Sequence, residues 1–117
     1  SVTALPLQHS KPTLGYLLEG EGRRIAYLTD TVGLPPVTLA WLQRQPLDVL
    51  VLDCSMPPQP QAPRNHNDLT LALQSIEETG AKLGVLTHVG HTLDAWLLEH
   101  RRELPRHVTV AWDGRII

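Results

Sequence analysis

One cysteine, Cys54, is all the thiol chemistry in this 117-residue sequence, so no internal disulfide can form. It follows a run of β-favouring apolar residues, the setting of a reduced, buried thiol, and the expected location is a reducing cytoplasm. Excess charge is lacking too: ten Lys and Arg against twelve Asp and Glu leave a formal net charge of -2 and a pI near 6.3. That balance gives no basic footprint for phosphate backbones, so the expected partner is a small solute and not nucleic acid. No apolar run approaches the roughly 18 residues of a membrane span, and no charged leader precedes an apolar segment with a cleavage site, so a soluble chain with no membrane partner is expected. Internal repeats are absent. The sequence opens on Ser1, already in strand-like sequence, and the expectation is a fragment of something longer.

What is present is organised around Arg24-Ile25-Ala26-Tyr27-Leu28-Thr29-Asp30-Thr31-Val32-Gly33. Its apolar centre reads as a strand between Gly22 and the Gly33-Leu34-Pro35-Pro36 break, which delivers Asp30 at the carboxyl end of a buried strand. Open α/β sheets place their chemistry there. Three other segments end alike: a strand near residues 2 to 8 runs into His9, Asp48 to Leu52 into Asp53, and Lys82 to Thr87 into His88.

Pro6 suits an edge strand, and Thr13 to Glu19 pairs with the Asp30 strand as an antiparallel hairpin through Gly20-Glu21-Gly22. A helix follows Pro35-Pro36, with Val37, Ala40, Trp41 and Leu42 near helical spacing, and Pro46 stops it. Asp48 to Asp53 is a continuous apolar run, the mark of a strand covered on both faces. The proline-rich stretch 56–63 is a long ordered loop, of the kind that is usually functional or disordered. Asn67 or Asp68 caps a helix carrying Leu69, Ala72, Leu73 and Ile76, which closes at Thr79-Gly80. Thr92 is a candidate cap for a helix with Leu93, Trp96 and Leu97 inward, and Val108 to Ile117 reads as a closing hairpin with an Asp113-Gly114 turn. The expected fold is a layered α/β sheet, largely parallel across residues 24–29, 48–53 and 82–87. The tryptophans are read as core residues ahead of substrate platforms.

Imidazole and carboxylate together suit divalent metals of intermediate hardness, and a carboxylate has two oxygens with which to bridge two ions. His9, Asp30 and His88 supply that mixture from equivalent strand ends. Taken singly, such a histidine is more often a surface residue, and such an aspartate a turn former or helix cap.

Leu7-Gln8-His9-Ser10-Lys11, Leu28-Thr29-Asp30-Thr31, Ala62-Pro63-Arg64-Asn65-His66-Asn67-Asp68, Leu86-Thr87-His88-Val89-Gly90-His91 and the helix segment Asp94 to Leu97 closely resemble the second half of the phosphodiesterases of the carbon-phosphorus lyase pathway. Those enzymes are metallo-β-lactamase superfamily members related to the zinc-dependent tRNA 3′-processing nucleases. The resemblance implies half of an αββα sandwich, with a mixed sheet and helices on one face, over residues 1–117. It implies two divalent ions of manganese, nickel or zinc, with His9 on one, His88 on the other and Asp30 bridging. It makes His66 the catalytic histidine, a general acid or phosphate-orienting donor, and His91 a ligand of a separate structural zinc. Arg64 and Asn65 orient His66, touch the phosphate or brace the loop, and Asp53 stands behind the ligands or is structural. The implied substrate is a small phosphodiester, the cyclic phosphate of phosphoribose formed in phosphonate breakdown.

The superfamily's His-x-His-x-Asp-His signature is absent from this sequence, as is the cysteine cluster that would partner His91. Each ion would therefore find only part of its coordination sphere here, and the fragment alone is expected to be inactive. The expected partner is the missing N-terminal half or a second copy, a homodimer, covering the inner sheet face. A tRNA-processing nuclease relative and a non-catalytic folding or interaction module are the alternative readings.

Overall fold

The structure is a computed structural model and describes residues 1–61 and 63–111; the expected turn at Asp113-Gly114, the strand after it and Trp112 lie outside the described residues. Among those residues, six strands form one sheet in the order of the sequence: β1 (Val2–Pro6), β2 (Leu14–Gly20), β3 (Arg23–Leu28), β4 (Val49–Asp53), β5 (Leu83–Thr87) and β6 (Val108–Val110). The β1–β2 and β2–β3 pairs are antiparallel, and β3–β4, β4–β5 and β5–β6 are parallel. The parallel steps are made by α1 (Pro36–Gln43), α2 (Leu69–Thr79) and α3 (His91–Glu99), the last followed by a 3-10 turn at Arg101–Glu103. Between β2 and β3, Glu21 and Gly22 both take positive φ, 53° and 77°, as a two-residue turn matched to strand twist requires.

The helices lie on one face, where Leu28, Leu50, Leu52 and Leu86 from the strands pack with Leu42, Ala72, Ile76 and Leu93 from the helices. Gly84 lets α2 approach the sheet: a Cβ there would stand 2.6 Å from Ile76 Cδ1. Asp68 caps α2, accepting from the Leu71 N–H at 2.9 Å, and Gly80 ends it in the left-handed region at φ 68°. Arg24 is buried on the helix face of β3, where its guanidinium donates to the carbonyls of Trp41, Leu42 and Gln45 at the end of α1 and to Glu19.

Two helix expectations need correction. The inward residues of α1 are Thr38 and Leu42, while Val37, Ala40 and Trp41 are exposed, because the Thr38 hydroxyl donates to the Pro6 carbonyl and turns that side of the helix to the sheet. The N-cap of α3 is Gly90, two residues before the expected Thr92, and it makes no side-chain cap.

The opposite sheet face is apolar and largely bare. The register Tyr16↔Tyr27↔Val51↔Val85 and Val2↔Leu18↔Ile25↔Val49↔Leu83 puts ladders of large apolar side chains there. Val49, Val51 and Val85 are buried by their neighbours, but Val2, Leu14, Tyr16, Leu18 and Tyr27 are 42 to 66% exposed. β4 is thus buried on both faces, as its composition implies, though only one of those faces is covered by helices.

Candidate metal centre

Among the described strands β2 alone runs against the others, so β1, β3, β4 and β5 all point their carboxyl ends to one edge. His9 follows β1, Asp30 follows β3, Asp53 ends β4 and His88 follows β5. The topology therefore carries four chemistry-bearing residues to one rim, and the loop after β4 adds a fifth, His66. The ends of that loop are tied: Ser55 N–H donates to Asn67 O at 3.0 Å, Leu69 N–H to Met56 O at 2.9 Å, and Met56 bridges Asp68. The proline-rich excursion closes on itself and returns His66 to the rim.

Asp30, Asp53, His66 and His88 each offer a donor atom, all within 4.8 Å of one another. Asp30 Oδ1 is 4.0 Å from His66 Nδ1 and 3.9 Å from His88 Nδ1. The His66 ring stands between two others, its centroid 5.4 Å from that of His9 and 5.3 Å from that of His88. His9 Nδ1 lies 2.9 Å from the Asn65 carbonyl. A carbonyl only accepts, so this nitrogen carries the proton and Nε2 keeps the free lone pair. His88 sits at φ 64°, a left-handed conformation that a residue with a Cβ adopts only when its surroundings impose it.

Asp53 is fully buried, and its Oδ2 is 2.6 Å from His66 Nδ1 and accepts from the Thr31 N–H at 3.2 Å. Burial pushes its carboxyl above the ordinary aspartate value, opposed by the hydrogen bonds from His66 and Thr31. Among the described residues its Oδ1 is buried with no hydrogen-bond partner, an acceptor open to a cation or a donor at the rim. Asp53 is expected to stand behind the metal ligands or to be structural, and its partner here is His66, the residue the resemblance makes catalytic and not a ligand. Cys54, next along the chain, is buried, and burial followed by the Asp53 charge pushes its thiol up to about 12, so it stays a thiol.

The remaining candidates stand apart. Arg64 and Asn65 are exposed, and Asn65 meets the site through its backbone carbonyl alone. His91 is the exposed first residue of α3 and lines a groove with Val89, Asp94, Arg106 and Thr109. Its side chain is outside the Asp30–His88 cluster, and no second group of three or more His, Cys, Asp or Glu comes together around it among the described residues.

Two buried residues that the sequence reading passed over hold the rim together. Thr31 Oγ1 accepts from Gln8 N–H at 3.1 Å and donates to Gly33 O at 2.8 Å. Asn67, read as a helix cap, instead sends its Nδ2 to Asp53 O at 2.8 Å and accepts the Gly33 N–H on Oδ1 at 2.8 Å.

Residues 1–89 match the family described as the beta-lactamase superfamily domain, and the chain belongs to that family. Among solved structures it is similar to a diphosphatase of the PhnP family, at 28% identity and a TM-score of 0.77, over 97% of this chain and 41% of that one. It is similar also to a metallo-β-lactamase fold protein from Bacillus subtilis, at 19% identity and TM-score 0.75 over 97% of this chain and 47% of that one. The short form of human tRNase Z is 23% identical, with TM-score 0.74 over 99% of this chain and 42% of that one. The last two show the fold alone. A comparison with curated proteins gave no match. The chain thus spans less than half the length of these three structures, and its mixed six-stranded sheet with three helices is a metallo-β-lactamase-like fold.

Proposed function

We propose that this chain is the C-terminal portion of a metal-dependent phosphodiesterase that hydrolyses small cyclic ribose phosphates of the kind formed in phosphonate breakdown. The observation that carries the reading is the convergence of Asp30, Asp53, His66 and His88 within 4.8 Å at one sheet edge. The donor set fits divalent metal: mixed imidazole and carboxylate, with a buried, unpaired carboxylate oxygen beside it. His9, Asp30 and His88 would hold two ions of manganese, nickel or zinc, with Asp30 shared. When bound, such ions supply Lewis-acid polarisation and charge neutralisation at a phosphoryl group.

The chain's own part centres on His66. With Nδ1 held by Asp53, Nε2 is left to face the substrate and to carry the proton that the departing ribose oxygen takes up. The ring P–O bond breaks, water supplies the oxygen of the new P–OH bond, and the product is a phosphate monoester. Arg64, exposed two residues before His66, would touch the phosphate or brace the loop. A structural zinc at His91 would draw its other ligands from residues outside this chain.

The bare sheet face supports a second element of the reading, that an N-terminal half of the same protein covers it and completes the coordination. The length of the similar structures, more than twice that of this chain, favours that occupant over a second copy. The likeness to a diphosphatase favours one alternative substrate class, a P–O–P anhydride. A single assay separates them: the native full-length protein, loaded with Mn2+, Ni2+ or Zn2+, is offered a ribose cyclic phosphate, an aryl phosphodiester and a diphosphate-bridged nucleotide. Turnover of the first two, lost with chelator, supports the phosphodiesterase reading. Turnover of the anhydride alone replaces it, and no turnover of any overturns it.

A further inference from the structure

The residues of the Asp30–His88 cluster sit on four separate segments, and one buried side chain bonds to two of them while its own residue adjoins a third. Asn67 is fully buried, and both ends of its amide and its main-chain carbonyl are engaged. Its Nδ2 donates to the main-chain carbonyl of Asp53 at 2.8 Å, its Oδ1 accepts the N–H of Gly33 at 2.8 Å, and its own carbonyl accepts the N–H of Ser55 at 3.0 Å. Gly33 closes the loop that bears Asp30, Asp53 ends β4, and Asn67 is covalently next to His66. The turn at Gly33 is also the acceptor of Thr31 Oγ1, which in turn holds Gln8, the neighbour of His9.

We propose that Asn67 is a positioning residue of the site: by bridging Asp53 O and Gly33 N, it sets the distance from the His66–Asp53 pair to Asp30 and, through Asn65 O, the orientation of the His9 ring. The inference rests on the reading that these residues form a metal-dependent site. A helix cap would spend its side chain on N–H groups of the first turn of α2, and that task is done by Asp68. No other side-chain type of this size offers one donor and one acceptor in opposite directions at neutral charge, so alanine leaves a buried carbonyl and a buried N–H without partners. Aspartate keeps the acceptor for Gly33 and loses the donor for Asp53.

The test uses the native full-length protein with Asn67→Ala and has two readouts. In the metal-free protein, imidazole 15N NMR reports the protonation and hydrogen bonding of His66 and His9, with His100, bonded to the Trp96 carbonyl away from the site, as the internal control. In the second, Co2+ is titrated and its visible spectrum followed. The expected result is that the His66 and His9 resonances move while those of His100 stay, and that Co2+ binds about 10- to 100-fold more weakly, the usual effect of removing a group that orients ligands. A folded variant that melts lower but keeps wild-type His66 and His9 resonances and wild-type Co2+ affinity overturns the proposal and leaves Asn67 a purely structural residue. Should Asn67→Ala fail to fold, Asn67→Asp is read in the same way with the same two outcomes. If the wild-type protein takes up no Co2+, the metal reading fails, while the NMR comparison still decides the role of Asn67.

Discussion

His66 is gripped from one side by a carboxylate that has no exposure to water, and the consequences of losing either member differ. If His66 is the proton carrier of the proposed reaction, His66→Ala is expected to lower kcat of the full-length protein by about 10²- to 10⁴-fold. Asp53→Asn keeps the shape and removes the charge that orients the ring; a fall of about 10- to 100-fold in kcat, with KM little changed, is expected in the same steady-state assay. A separate prediction concerns Asp48, at the far end of β4. The Arg24 N–H donates to it at 2.8 Å, and this bond, aided by Lys82 at 3.3 Å, holds its carboxyl below the ordinary value. A depressed folded-state pKa stabilises the fold above the unfolded-state value of about 3.9, and that stability is lost as pH falls through the folded-state pKa. Urea denaturation of wild type and Asp48→Asn across that range should show a gap at neutral pH that closes in acid. At this scale the sequence pattern placed His9, Asp30, Asp53 and His88 on a common rim because strand ends can be read from pattern alone, whereas His66, on a loop, entered only through the family resemblance. Pattern could not reach Asn67 or Thr31, whose partners are main-chain groups distant in sequence that carry no residue-type signal.

Among the elements, α2 was readable from end to end because each of its signals is local: an aspartate cap, an apolar stripe and a glycine stop. α1 was not, since its inward face is set by a threonine that finds the Pro6 carbonyl on β1, and Thr38 looks polar where Val37 and Trp41 look apolar. The start of α3 depends on the backbone path out of His88, with its positive φ, and no residue type announces that. The contact of α2 with β5 gives a stability test. Gly84→Ala drives a methyl to within 2.6 Å of Ile76 Cδ1, and a loss of about 1–3 kcal/mol by chemical denaturation is expected. Asp68→Ala removes the cap of α2 and the acceptor of the Gln59 N–H together, for which a loss of about 1–2 kcal/mol is expected.

For the molecule as a whole, the uncovered apolar side chains of β1 to β3, Val2, Leu14, Tyr16, Leu18 and Tyr27, are its most consequential surface, since monomers rarely leave contiguous apolar patches of more than a few hundred Å2 in water. Native mass spectrometry of the protein as purified should therefore find this 13.0 kDa chain within a heavier species. A compact, monodisperse species of that mass alone would contradict the covered-face reading. The strand order has a further effect. Because each strand lies beside the one that precedes it in sequence, the sheet can grow from one edge as synthesis proceeds, every new strand meeting a finished template. The five rim residues then arrive in the order His9, Asp30, Asp53, His66, His88, and the cluster of Asp30, Asp53, His66 and His88 cannot form until β5 has docked. An ion held by all four of those residues would then find most of the sheet that must bear its charge already built.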